Sequence, residues 1–318
     1  MDEKQKKYLQ LQYGMFLHFG VNTFARAAWG DGKFPAAEFN PAKLNTDQWA
    51  EVAAEAGMKY GVLTTKHHDG FCLWPSKYTN YSVKNSACKV DVVGKYAESF
   101  RKAGLKVGLY YSLWDLNYPD YENDELYAEY MINQLTELLT NYGDIVELWF
   151  DGGWDKDNPN KQWFDEIDPA NPMDGHRWHW QEVYDTIHKL CPDCMVIQNS
   201  SSNRPGEAKY MPVDVVTSEH LEFVFQGKVC KLAKNRTLPL EFCTTLNPDW
   251  FQREADYIHP TVEQIAGWRL TADTENANLL LNIGPDKDGL IPEYHREYLV
   301  KANELFHEWK ALGLKAKR

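Results

Sequence analysis

Eight short apolar runs punctuate this chain of 318 residues, and most of them stop abruptly at a polar, chemically capable side chain. In order they cover residues 14–20, with His18; 58–69, ending in Lys66-His67-His68-Asp69; 105–112, with Tyr110-Tyr111; and 144–152, with Trp149-Phe150-Asp151. The remaining four cover 195–200; 213–220, with Glu219; 238–245; and 278–285. Runs of this length without alternation read as strands buried on both faces, the habit of parallel sheets. Between most of them lies enough chain for a helix. The pattern predicts an α/β fold, a (β/α)8 TIM-like barrel, in which chemistry gathers where the strands end. A single domain over residues 1–318 is expected, because only about thirty residues follow the eighth run and 292–314 read as a helix.

Helix punctuation agrees with that reading. Residues 46–56 start at a capping residue, Thr46, and stop at Gly57; 91–103 stop at Gly104; 123–140 close in Asn141-Tyr142-Gly143. Two long polar loops break the rhythm, 25–41 after the first strand and 153–175 after the fourth. On the strand-end side of a barrel such loops shape access to a site.

A net charge of −12 with no basic cluster argues against nucleic acid as a partner. The polar N-terminus lacks the apolar core of a signal peptide, and no stretch approaches about 18 apolar residues. No membrane association is therefore expected, and a cytoplasmic location unless a leader has been trimmed. Nothing in the sequence fixes the oligomeric state, which leaves room for a homo-oligomer. Twelve Trp are present; large rings fill cores and also stack on the apolar faces of sugars. Of the six Cys, Cys72 and Cys243 lie in apolar runs and read as buried thiols. Cys191-Pro192-Asp193-Cys194 has redox or zinc spacing, but without a second pair or a following His it reads as an inert loop.

Asp151 is the most telling position. A carboxylate directly after Ile145-Val146-Glu147-Leu148-Trp149-Phe150, followed by Gly152-Gly153, sits at a barrel mouth and is given room. Glu219 ends another strand, with Glu207, Glu222 and Glu241 as competitors. Two carboxylates on different strands of one barrel suggest glycoside hydrolysis. His67 and His68 would face opposite ways on a strand and make a poor metal pair unless the strand has just ended; hydrogen bonding to hydroxyls suits them better. There is no Gly-x-Ser-x-Gly elbow, phosphate loop or dinucleotide fingerprint. Residues 282–289 lack EF-hand spacing and read as a turn.

The strand ends resemble those of the α-L-fucosidases of glycoside hydrolase family 29. The resemblance rests on His18-Phe19-Gly20, on residues 66–74 (Lys-His-His-Asp-Gly-Phe-Cys-Leu-Trp), on Ser76-Lys77-Tyr78-Thr79, on Trp149-Phe150-Asp151-Gly152 and on Leu280-Leu281-Asn282-Ile283-Gly284-Pro285. It implies a retaining exo-α-L-fucosidase acting on fucosylated oligosaccharides or glycoconjugates, without metal or organic cofactor. It makes Asp151 the nucleophile, and His18, His67, His68, Tyr111 and Trp149 residues that hold fucose. Trp29 resembles a pocket Trp, and Trp149 or Trp268 could supply an apolar patch for the sugar's methyl group. Three departures stand out. Ala28 replaces an acidic residue before the pocket Trp, so a hydrogen-bonding acidic group is either missing or supplied by Asp31 or Glu38. Residues 199–204 replace an Asn-Asp-Arg-Trp motif, so that only Arg204 keeps a sugar-contacting role. The acid/base resembles one branch at Glu219 and another at Glu207, with Glu219 preferred. Many relatives also carry a C-terminal β-sandwich, which is not expected here. A barrel glycosidase for another sugar, or a catalytically decayed fucose-binding barrel, are the alternative readings.

Overall fold

A computed structural model describes residues 1–27, 29–153, 176–199, 212–220, 224–225, 228–229, 237–253 and 259–316. Eight strands form one sheet: β1 (Tyr13–Leu17), β2 (Tyr60–Lys66), β3 (Lys106–Ser112), β4 (Glu147–Asp151), β5 (Met195–Gln198), β6 (Val216–Glu219), β7 (Leu240–Thr245) and β8 (Asn278–Asn282). Each of the eight apolar runs contains one of them or overlaps it. Every neighbouring pair is parallel, in the order β5-β4-β3-β2-β1-β8-β7-β6. A single parallel bridge, Ile197 to Val215, joins the two ends of that order. The result is a nearly closed barrel.

Every residue of β1, β2 and β8 is buried, as strands covered on both faces must be. The apolar side chains split into two shells. One fills the barrel, with Phe16, Val62, Tyr110, Trp149, Ile197 and Leu280. The other lies between strands and helices, with Leu17, Leu63, Leu109, Phe150 and the helix faces. Glycine makes the inner shell possible at one point: a Cβ on Gly14 would collide with the Tyr60 ring that crosses the floor.

Helices α1 (Glu3–Leu9), α2 (Val21–Ala25), α3 (Thr46–Glu55), α4 (Val92–Lys102), α5 (Asp124–Asn141), α6 (Trp180–Leu190), α7 (Val262–Thr274) and α8 (Glu293–Ala311) accompany the strands. The expected caps are present at Asp91 and Asn123, whose side chains accept from Gly94 and Leu126 backbone N–H groups. The cap of α3 is Asn45, one residue before the expected Thr46. Helix α1, which sequence reasoning did not foresee, carries an Asp2/Gln5 capping box and pushes Tyr8 into the barrel floor. The loop after β1 contains α2 and a short 3-10 turn, Ala36–Glu38. Residues 154–175 of the other long loop lie outside the described residues. No helix among the described residues is long and apolar enough to cross a membrane.

Candidate active site

Asp151 is the last residue of β4, at the strand-end mouth of the barrel. Gly152 follows in the left-handed region, φ +70°, where its missing Cβ avoids Trp114. The chain therefore turns aside and leaves the carboxylate partly open. Glu219 is the last residue of β6. The two carboxylates meet at one group: the Asn199 side-chain amide, just beyond β5, donates to Asp151 Oδ1 at 3.3 Å and to Glu219 Oε2 at 3.1 Å. The Tyr110 hydroxyl donates to Asp151 Oδ2 at 3.1 Å. Burial, and then the neighbouring Asp151 charge, push Glu219 up to about 7. A glutamic acid near neutrality beside a hydrogen-bonded carboxylate is the pairing that acid and nucleophile chemistry within one site requires.

Three buried histidines form one wall. Strand β2 ends at Lys66 after a register shift, so His67 and His68 both lie past the strand and both reach the site, their ring centres 4.0 Å apart. This is the condition under which adjacent histidines can share a pocket. Burial holds His18 down to about 3 and His68 down to about 4, and drives His67 well below its ordinary value. All three are neutral near pH 7, and their partners fix the tautomers. Asn282 spends its amide hydrogens on Thr245 Oγ1 and the Trp250 carbonyl. Its Oδ1 therefore accepts from His18 Nδ1–H, at 2.8 Å. Ser112 Oγ donates to the Trp114 carbonyl at 2.6 Å and so accepts from His68 Nδ1–H at 2.7 Å. His67 Nδ1 instead accepts from the Asn22 amide at 3.3 Å, while that amide also donates to Asp69. His18 and His68 thus keep Nε2 as acceptors, and His67 keeps Nε2–H as a donor. His68 Nε2 lies 3.7 Å from Asp151 Oδ2. Such a mixed set suits vicinal hydroxyls, each of which both donates and accepts.

The other expected residues fall in different places. The Trp29 ring is 57% exposed and sits edge-on to His68 and Trp114, at 6.0 and 6.1 Å. Trp149 is buried one layer below the carboxylates, stacked on Tyr110. Tyr111 needs correcting. It points out of the barrel, where its hydroxyl donates to Gln134 at 2.7 Å and accepts from Lys66 at 2.9 Å. Alternation forbids both tyrosines from facing inward. The pairing of Ser112 with Asp151 and Tyr110 with Trp149 assigns the inner place to Tyr110. Trp268 is also corrected: it lies on α7, outside the strands, packed against the outer shell. Arg204, Glu207 and Ala28 lie outside the described residues, as does Glu222. Glu241, another competitor, is at the opposite end of the barrel. Sequence reasoning missed Tyr110, Asn199, Trp250 and Phe251. Phe251 is buried edge-on to His18 and His67, and Trp250 lies against His18 and His220. The parity of β3 and β4 was the signal for Tyr110, and the polar residue just past β5 the signal for Asn199. Among the described residues no three His, Cys, Asp or Glu side chains gather as metal ligands.

Comparison with known proteins points the same way. The family described as alpha-L-fucosidase matches residues 33–307. Alpha-L-fucosidase 1 of Arabidopsis thaliana is 33% identical, over 93% of this chain and 59% of the relative. A relative from Oryza sativa subsp. japonica, provisionally named alpha-L-fucosidase 1, is 47% identical over 94% of this chain and 58% of its own. The chain thus spans less than two thirds of the length of these curated relatives. Among solved structures, alpha-L-fucosidase isoenzyme 1 from Paenibacillus thiaminolyticus matches with a TM-score of 0.78 and 30% identity, over 96% of this chain and 75% of that one. Alpha-L-fucosidase AlfC from Lactobacillus casei, solved in complex with α-L-fucose product, matches with a TM-score of 0.75 and 25% identity, over 98% of this chain and all of that one. By the extent of the family match and the barrel it shares with these structures, the chain belongs to the alpha-L-fucosidase family, glycoside hydrolase family 29.

Proposed function

We propose that this chain hydrolyses terminal α-L-fucosyl residues from oligosaccharides or glycoconjugates, with retention of configuration, through a covalent fucosyl–Asp151 ester. One observation carries the reading: a single amide, Asn199, bonded to both Asp151 and Glu219. Retaining glycosidases hold their carboxyls about 5–5.5 Å apart, inverting ones about 6.5–9.5 Å. Two oxygens bonded to one nitrogen favour the closer spacing. The match to AlfC, which holds fucose and is covered along its full length, supports the sugar assignment.

In the first step the Asp151 carboxylate attacks the anomeric carbon. The glycosidic C–O bond breaks, and the Glu219 proton passes to the leaving oxygen. Esterification removes the Asp151 charge that had helped to raise Glu219, so Glu219, having given its proton to the leaving oxygen, stays ionised and ready to act as base. In the second step Glu219 takes a proton from water, the water oxygen attacks the same carbon, and the ester bond breaks to return Asp151 as a carboxylate. The neutral histidines hold the ring hydroxyls, and Phe251 with Trp250 offers the apolar wall that a 6-deoxy sugar needs. Arg204 is proposed as a further sugar contact, and Trp29 as a residue closing the exposed rim.

Asp151→Ala is the test. With nitrophenyl α-L-fucoside its kcat should drop by roughly three orders of magnitude or more, with the melting temperature little changed. Azide should restore turnover as a fucosyl azide of inverted configuration. Near-normal activity in Asp151→Ala, or a parent enzyme that prefers nitrophenyl galactoside, ends the proposal.

A further inference from the structure

The four-residue segment Cys191-Pro192-Asp193-Cys194 links α6 to β5 at the end of the barrel opposite Asp151. It is a closed turn: the Cys194 N–H donates to the Cys191 carbonyl at 3.0 Å. Such an i to i+3 turn holds its outer Cα atoms within about 7 Å, and disulfides span about 4.4–6.8 Å between Cα atoms. The two cysteines are unlike. Cys191 is partly exposed at the C-cap of α6, whereas Cys194 is fully buried where β5 begins. From α1, Lys4 braces the turn with a 2.5 Å bond to the Pro192 carbonyl and a 3.7 Å ion pair with Asp193. Among the described residues no third metal-ligating side chain joins the pair, so the arrangement fits dithiol chemistry and not a metal.

We propose that Cys191 and Cys194 form a redox-active dithiol that exchanges with small-molecule disulfides and closes to an intramolecular disulfide. Cys191 is the attacking sulfur because it alone is accessible. The Cys191 thiol lies 3.5 Å from the Ile145 carbonyl and the Cys194 thiol 3.8 Å from the Met195 carbonyl; the neighbouring Cys194 thiol, and then the Ile145 carbonyl contact, lower Cys191 to about 6, against burial and the Asp144 charge, which push it up. Burial keeps Cys194 itself a thiol, raised well above its ordinary value. In the first exchange the Cys191 thiolate attacks one sulfur of oxidised glutathione. An S–S bond forms to the protein, the glutathione S–S bond breaks, and one glutathione thiolate leaves. Cys194 then gives its proton to that thiolate or to water and attacks the Cys191 sulfur. The second glutathione leaves as a thiolate and takes up a proton. Two protein thiols are oxidised, and one glutathione disulfide is reduced to two thiols.

The test equilibrates the full chain with reduced and oxidised glutathione at several ratios, quenches with acid, alkylates, and maps the products by mass spectrometry. The expected result is a peptide spanning 191–194 that loses two hydrogens and escapes alkylation as the ratio becomes oxidising. Cys194→Ser should halt at a glutathione adduct on Cys191, and Cys191→Ser should give neither product. A 191–194 peptide that stays doubly alkylated across all ratios overturns the proposal. So does a Cys194→Ser protein whose glutathione adduct sits on another cysteine, such as Cys88, and not on Cys191.

Discussion

At the mouth of the barrel Asp151 and Glu219 are 18% and 22% exposed and share one amide donor. At the floor Glu147 and Glu241 are fully buried and share tyrosine hydroxyls instead: Tyr8 contacts both, and Tyr60 contacts Glu241. Tyr8 has one proton but touches an oxygen of each carboxyl, so it can donate to only one of them. The other contact needs a protonated carboxyl as donor. Burial raises both floor groups, and the nearby Glu241 charge adds to the rise of Glu147, while hydrogen bonds from Tyr60, Tyr8 and Trp149 only partly offset the rise of Glu241. A pair of raised carboxyls therefore does not by itself mark an active site. At the mouth the two groups differ from each other, face open space and stand beside three neutral histidines. At the floor they resemble each other, are sealed by α1, and hold a proton that no substrate can reach.

The sharpest way to separate the ends is to remove the proposed acid, Glu219. Glu219→Ala should slow fucosides with poor leaving groups by about 10²–10⁴-fold, the usual range of general acid catalysis, and nitrophenyl fucoside far less. In the parent enzyme kcat/KM should fall as pH rises past about 7, where Glu219 loses its proton. In Glu219→Ala that alkaline limb should vanish. If Glu207→Ala shows this pattern instead, the acid/base belongs to the segment that carries Arg204.

The floor should answer in stability and not in rate. Its carboxyls have raised values in the folded state, while the unfolded chain titrates near the ordinary value of about 4.3. Below that value both states carry the protons and nothing is lost. As pH rises through the window up to the raised folded values, the unfolded state ionises first and stability falls. Each unit of upward displacement is worth about 1.4 kcal/mol. Glu147→Gln removes one titrating member, so its urea midpoint should decline less than the parent's between pH 4 and 8. Its kcat should stay within about twofold of the parent. Parallel stability curves for the two proteins, or a large loss of rate, would break the contrast between the ends.

The barrel was legible because its signal is coarse. Eight unalternating apolar runs must be buried on both faces, and each contains or overlaps a strand. Single side chains were harder, because their direction depends on register. Tyr110 and Tyr111 are adjacent and chemically identical, and only the pairing of β3 with β4 says which one faces inward. His67 and His68 depended on where β2 stops, a point set by a register shift near Lys66. Asn199 offered only its place as a polar residue just past β5; its closeness to both carboxylates spans three strands and is not written in any local run. The floor was invisible for a similar reason: Tyr8 lies in a polar N-terminal segment, and its two carboxyl partners are 139 and 233 residues away. The motifs located Asp151 and Glu219 at strand ends, but not the amide between them.

The two tyrosines give the finest version of the comparison. Tyr110→Phe removes the hydroxyl that holds Asp151 Oδ2. A hydrogen bond to a charged group is worth about 1.5–3 kcal/mol, so kcat should drop by roughly 10- to 100-fold. Tyr110 is buried, but its hydroxyl serves the carboxylate, and the loss of stability should be small. Tyr111→Phe takes its hydroxyl from a closed network. Lys66, wholly buried, keeps Asp115 at 2.9 Å but loses one oxygen acceptor, and Gln134 Oε1 loses its donor. Unsatisfied buried groups cost about 1–3 kcal/mol each, so Tyr111→Phe should lower the urea midpoint while leaving kcat and KM near the parent values. Measuring both variants for rate and stability gives a crossed pattern if β3 is in the register described. A rate loss in Tyr111→Phe with Tyr110→Phe unaffected would mean that β3 is turned over by one residue, and with it the inner wall of the site.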